Sequence, residues 1–196
     1  MTRLRPAIFL DKDGTLLEDV PFNANPSRMR WAPGAPAALH MLGALGLPLF
    51  VVTNQAGIAR GLLREADMDV IAGELRVRFV SCGAALAGYY FCPHAPADEG
   101  GEPCACRKPQ PGMLVRAAAD HGIALASSWM VGDILDDIEA GRRAGCRTIL
   151  VDNGNETQWR LSPERIPHAR VSTLEEAAHV IVSECRGETG ASRRTA

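Results

Sequence analysis

The sequence predicts an α/β fold, with a mostly parallel sheet wound on both faces by helices. Three observations carry that expectation. Short apolar runs, each too short for a helix, recur along the chain. Segments with apolar residues at helical spacing alternate with them. Glycine or proline marks most of the junctions.

The first run, Ala7-Ile8-Phe9-Leu10, gives way at once to Asp11-Lys12-Asp13-Gly14-Thr15. It reads as a buried strand that ends in two carboxylates, with Gly14 free to turn the backbone. In open parallel sheets ligands bind beyond the carboxyl ends of the strands, which is where Asp11 and Asp13 would lie. Carboxylates this close repel unless a proton or cation intervenes. A hard cation such as Mg²⁺ suits them, and Mg²⁺ commonly accompanies phosphate. Taken alone, the same residues read better as a polar turn; the partners further along overturn that.

Residues 18–31 form a polar loop with Asn23, Asn25, Arg28 and Arg30. It either touches substrate or is a solvated surface loop. A helix follows from Pro33-Gly34 to about Leu45, closed by Gly46. Leu49-Phe50-Val51-Val52-Thr53 is a second strand, and Thr53, Asn54 and Gln55 end it. Their side chains can bond a phosphate oxygen or cap a turn. A helix is expected from about Arg64 to Val80, then a short strand at Gly88–Phe91. A Cys/His loop spans 92–106, and the prolines after Arg107-Lys108 precede a helix from Met113 to His121.

Trp129–Gly132 is a fourth strand and meets Asp133. Ile134 opens a helix to Ala144, with Asp136 and Asp137 where the helix dipole favours acids. Arg147–Val151 is a fifth strand, and His168–Val171 an edge strand. A last helix spans Thr173–Cys185. Residues 1–185 read as one domain, and 186–196 as a disordered tail.

Composition narrows the class. The chain has 196 residues, 46% hydrophobic and 22% charged, within the ordinary globular range. A net charge of −2 argues against a nucleic-acid partner bound by a broad basic face. No apolar stretch is long enough to span a bilayer, and Asp11 interrupts the first run too soon for a signal peptide. The expectation is a cytoplasmic monomer with neither membrane nor nucleic-acid partners.

Six cysteines are present. Reduced thiols are the rule in the cytosol, and the clustering of Cys92, His94, Cys104 and Cys106 points to metal. Three thiolates and one imidazole form a closed tetrahedral set for structural Zn²⁺. Cys82, Cys146 and Cys185 read as packing residues.

The strand ends thus offer Asp11 and Asp13, Thr53 and Asn54, then Arg107 and Lys108, then Asp133 with Asp136 and Asp137. Carboxylates for a cation, cations for phosphate oxygens and neutral donors together suit phosphoryl transfer to a carboxylate. At this point the chain resembles the phosphatases of the haloacid dehalogenase-like (HAD) superfamily, subclass III. The matching motifs are Asp11-Lys12-Asp13-Gly14-Thr15, Val51-Val52-Thr53-Asn54, Lys108 in Arg-Lys-Pro, and Gly132-Asp133 through Asp137.

The resemblance implies a Rossmann-like, HAD-like fold and a role for each residue. Asp11 would attack phosphorus. Asp13 would protonate the leaving alcohol and then activate water. Mg²⁺ would sit on Asp11, the Asp13 backbone carbonyl and Asp133, supported by Asp137. Thr53 and Lys108 would hold the phosphoryl group. The gaps between motifs leave no room for a cap domain.

Within the superfamily, the zinc loop, Asn54-Gln55-Ala56-Gly57-Ile58-Ala59-Arg60-Gly61 and Pro111-Gly112-Met113 after Lys-Pro resemble the D-glycero-D-manno-heptose 1,7-bisphosphate 7-phosphatases. Histidinol-phosphate phosphatases share the zinc loop. A small sugar phosphate is the implied substrate, with Asn54, Arg60, Arg107 and Lys108 as its contacts. Arg28 and Arg30 read as surface charge. The heptose enzymes often carry lysine after the aspartate corresponding to Asp133; here that residue is Ile134.

Overall fold

The computed structural model describes residues 4–192, and their side chains as far as residue 187. Six strands form one sheet: β1 (Ile8–Leu10), β2 (Leu49–Asn54), β3 (Leu86–Cys92), β4 (Trp129–Gly132), β5 (Arg147–Val151) and β6 (Ala169–Val171). Their order is β3-β2-β1-β4-β5-β6, and every pairing is parallel. The sheet is therefore wholly parallel rather than mostly so. Four α-helices lie between successive strands, α1 (Ala35–Gly43), α2 (Glu65–Ser81), α3 (Gly112–His121) and α4 (Leu135–Arg143), and α5 (Leu174–Ser192) follows β6.

Alternation along β1 and β2 divides the interior. Ile8, Leu10, Leu49 and Val51 pack with Leu39, Leu42, Ile71, Leu75 and Ile181 from α1, α2 and α5. Phe9, Phe50 and Val52 pack with Met113, Leu114 and Ala117 of α3 and Ala140 of α4. A strand covered on both faces must be apolar throughout, so β1 reads as an unbroken run.

Register places the site. Leu10 is level with Val51 of β2 and Val131 of β4. Asp11 therefore emerges beside the carboxyl ends of both neighbours, with Thr53 and Asp133 just beyond. The strand order reverses at β1, and the crevice between β1 and β4 is where such sheets bind ligands.

Three expectations change. β3 begins at Leu86 and reaches Cys92, two residues earlier and one later than its apolar core suggests, because pairing with β2 continues past Gly88. The 18–31 loop has a stem: Leu17 bridges Trp31, and Glu18 N donates to Arg30 O at 3.0 Å. α5 does not stop at Cys185 but continues to Ser192, so the start of the supposed disordered tail is helical. No proline intervenes, and each added residue gains a backbone hydrogen bond. Residues 193–196 lie outside the described residues.

Candidate active site

Asp11 ends β1 and is buried, 5% exposed. Lys108, 2% exposed, donates from Nζ to Asp11 Oδ1 and to the Val52 carbonyl at 3.1 Å. The same ammonium meets Asp137 Oδ1 at 2.6 Å. One cation thus stands between two buried carboxylates. Burial alone would lower the Lys108 pKa, but Asp11 and Asp137 carry it upward, so the lysine stays charged.

Local structure sets each of these groups in place. Asn54, the last residue of β2, holds the Lys108 backbone from both sides: Oδ1 accepts from Lys108 N and Nδ2 donates to Lys108 O, each at 3.0 Å. The amide expected to meet substrate is engaged in holding the lysine. Asp137 caps α4, its Oδ2 accepting from Ile134 N at 3.2 Å. Gly132 permits this approach, since a Cβ there would collide with the Asp137 side chain. Gly14, at φ +85°, likewise leaves no room for a Cβ against the Asp133 carboxylate.

Asp133 is held by two residues that sequence reasoning missed. Thr15 Oγ1 donates to Oδ1 at 3.1 Å and Asn155 Nδ2 to Oδ2 at 2.7 Å. Thr15 lay inside the first motif and could have been singled out. Asn155 comes from the loop after β5, and nothing local in the sequence marks it. Gln55, read from the sequence as a phosphate donor or a turn cap, bonds both Asp13 and Thr53.

Asp11, Asp133 and Asp137 bring carboxylate oxygens within 4.8 Å of one another. Burial pushes the Asp11 carboxyl well above its usual range; Lys108 opposes this, while Asp137, Asp133 and Asp13 add to it. Burial and Asp137 push Asp133 up to about 6. Such a set of crowded, buried oxygen donors fits a hard divalent cation. Asp136 is turned to a different task, pairing with Arg165 at 2.7 Å.

The Cys/His cluster assembles as its chemistry requires. Cys92, His94, Cys104 and Cys106 converge, with sulfur separations of 3.1, 3.6 and 3.7 Å. His94 Nδ1 lies 3.4 and 3.2 Å from Cys92 and Cys106. A tetrahedron with Zn–S near ~2.3 Å has edges of roughly 3.8 Å, so the donor set and its spacing fit zinc. Arg107 N donates to Cys104 Sγ at 3.4 Å, which ties the cluster to the residue before Lys108.

Of the four expected substrate contacts, Lys108 and Arg107 line a cleft of about 660 Å³ with Ile134, Asn155 and Arg160. Arg107 also donates to the His94 carbonyl at 3.1 Å. Asn54 lines a smaller cleft of about 210 Å³ with Asp13, Gln55 and Phe22. Arg60 is not among the residues lining either cleft; its guanidinium pairs with Glu99 and lies over the Phe22 ring at 5.3 Å. In this structure its charge joins three surface loops. Arg30 likewise donates within its own loop, to Ser27 O at 2.8 Å.

Comparison with known proteins agrees with this geometry. Residues 105–177 match the HAD-hydrolase-like family. The chain is 39% identical over 158 residues to the D-glycero-beta-D-manno-heptose-1,7-bisphosphate 7-phosphatase of Yersinia pestis, covering 79% of this chain and 84% of that protein. The enzyme of the same name from Escherichia coli K12 is also 39% identical, over 79% and 83%. The crystal structure of D,D-heptose 1,7-bisphosphate phosphatase from B. bronchiseptica, complexed with magnesium and phosphate, superposes with a TM-score of 0.79 at 31% identity. It covers 91% of this chain and 99% of that one. With the motif aspartates gathered at one crevice of a parallel sheet and relatives of this likeness, the chain belongs to the haloacid dehalogenase-like superfamily of phosphatases and is a phosphoric monoester hydrolase.

Proposed function

We propose that this enzyme is a Mg²⁺-dependent phosphatase working through an aspartyl phosphate at Asp11, and that it removes the 7-phosphate of D-glycero-D-manno-heptose 1,7-bisphosphate. Such a reaction would serve the synthesis of nucleotide-activated heptose for lipopolysaccharide or capsule. The observation that carries the mechanism is the placement of Asp11 at the β1 tip, ion-paired with Lys108, with Asp13 two residues on and Asp133 across the crevice.

In the first step an Asp11 carboxylate oxygen bonds to phosphorus and the bond to the sugar oxygen breaks. Asp13 gives its proton to the departing alkoxide. In the second step Asp13 takes a proton from water, whose oxygen attacks phosphorus. The Asp11–phosphorus bond then breaks and orthophosphate leaves. Lys108 holds Asp11 in place and, with Thr53, takes the phosphoryl oxygens as their charge spreads. Mg²⁺ would be held by Asp11, the Asp13 carbonyl and Asp133, with Asp137 behind, and when bound it supplies positive charge to the phosphoryl oxygens.

The substrate reading rests on the names of the relatives and on the cleft beside Lys108, where Arg107 and Arg160 can meet a second phosphate. The test is phosphate release with Mg²⁺ from both anomers of heptose 1,7-bisphosphate and from histidinol phosphate. The expected result is a kcat/KM at least 10²-fold higher for one heptose anomer, the β form named for the relatives, on the order of 3 kcal/mol of differential transition-state binding. Preference for histidinol phosphate would overturn the substrate and leave the chemistry standing.

A further inference from the structure

Gln55 lies just beyond the carboxyl end of β2 and is 6% exposed. Its Nε2 donates to Asp13 Oδ2 at 2.8 Å and to Thr53 Oγ1 at 2.9 Å. An amide nitrogen carries two protons, so one group serves both partners. Asp13 Oδ2 accepts from that nitrogen whether or not the other carboxyl oxygen carries a proton, which sets the nitrogen toward Asp13. The Gln55 backbone is itself fixed, its N donating to the Cys92 carbonyl at 2.8 Å. The end of β3 and the zinc cluster therefore hold this residue from behind.

Asp13 needs such a partner. Unlike Asp11, its side chain is 30% exposed, so packing alone does not fix its direction. Its other oxygen meets Lys12 Nζ at 3.0 Å. Thr53 gains something different. Its hydroxyl accepts from Gln55, which leaves the hydroxyl proton free to donate to a phosphoryl oxygen.

We propose that Gln55 is a positioning residue for the reaction: it aims Asp13 at the leaving-group oxygen and turns Thr53 into a donor toward the phosphoryl group. The inference rests on the aspartyl-phosphate reading above. It makes a claim that a merely structural glutamine would not satisfy. If Gln55 governs proton delivery by Asp13, its removal must harm an ester that needs a proton on departure more than one that does not. An alkoxide needs that proton; p-nitrophenolate stabilises its own charge.

The experiment measures kcat/KM, which covers every step through departure of the leaving group, for the heptose bisphosphate and for p-nitrophenyl phosphate. Wild type, Asp13→Asn, Gln55→Ala and Gln55→Glu are compared, and each is checked by thermal melting. Gln55→Ala is expected to lose on the order of 10²-fold on the alkyl ester and at least tenfold less on the aryl ester, the pattern expected of Asp13→Asn. Gln55→Glu keeps the size of the side chain and sets a carboxylate against Asp13, so it should discriminate in the same direction; it carries the test if Gln55→Ala does not fold. Parallel losses on both esters for the Gln55 variants, with Asp13→Asn still discriminating, would overturn the role of Gln55 alone. Parallel losses for Asp13→Asn as well would overturn the proton-transfer reading on which it stands.

Discussion

At the tip of β1 single side chains set the charge balance. Among the described residues Lys108 is the one cation touching Asp11 and Asp137, and Asp133 adds a third buried acid. Asp11→Asn removes the proposed nucleophile but keeps the shape. Phosphate release should fall by on the order of 10⁴-fold or more, with a melting temperature at or above that of wild type, because a crowded buried charge is gone. Near-wild-type turnover would remove Asp11 from the mechanism. Gly132→Ala makes a complementary prediction. Its Cβ would press on Asp137, costing about 1–3 kcal/mol of stability and loosening Lys108, so melting and activity should fall together; unchanged values of both would show that α4 yields without cost. Asp11, Asp13, Lys108 and Asp133 were legible in the sequence because the aspartates follow closely on strands and Lys108 stands just before a proline-marked turn. The bonds of Gln55 to Asp13, and of Thr15 and Asn155 to Asp133, were not legible, since those partners lie 42, 118 and 22 residues away. The ion pair of Arg60 was hidden for the same reason: its carboxylate partner, Glu99, is 39 residues distant, and an arginine after a glycine-rich turn looks free until the fold supplies its acid.

At the scale of elements, the zinc loop is the piece without a core of its own. Residues 92–106 contribute only Cys92 to the buried apolar set, so the proposed zinc would do what packing does elsewhere. Cys104→Ser should lower bound zinc to well under one per chain and reduce the melting temperature. It should then weaken catalysis through Lys108, since Arg107 N bonds Cys104 Sγ and Lys108 follows. Metal analysis unchanged from wild type would remove the zinc reading. Elements with a full complement of local signals were the ones read correctly from sequence. β4 and β5 run from residue 129 to 132 and from 147 to 151 as expected, because each is an apolar run between a clear helix end and a polar stop. Signals weaken at the chain's end. There Gly187 and Gly190 suggested a tail, yet nothing forbids the helix, and α5 carries on through them.

At the scale of the whole molecule, burying so many acids in one crevice links stability to pH and to Mg²⁺. Burial with Asp137 holds Asp133 near 6, and Asp11 is pushed up as well, chiefly by burial. In the unfolded chain both carboxyls return to about 4. Between roughly pH 4 and pH 6 the native protein without Mg²⁺ therefore binds more protons than the unfolded chain, and its stability falls as pH rises through that window. For a single group moved by about two units the loss is ~3 kcal/mol, which is several degrees of melting temperature for a chain of this size. At the proposed Mg²⁺ site a divalent cation would bind the ionised acids and offset the loss, most fully above pH 6. Zinc-loaded protein without added Mg²⁺ should thus melt lower at pH 7 than at pH 5. Added Mg²⁺ should raise the melting temperature by more at pH 7 than at pH 5. Asp133→Asn should flatten the metal-free profile and lose most of the Mg²⁺ response while keeping its zinc. A Mg²⁺ shift of equal size at both pH values, retained in Asp133→Asn, would place the cation elsewhere on the protein and leave the carboxylates of β1 and β4 balanced by protons and Lys108 alone.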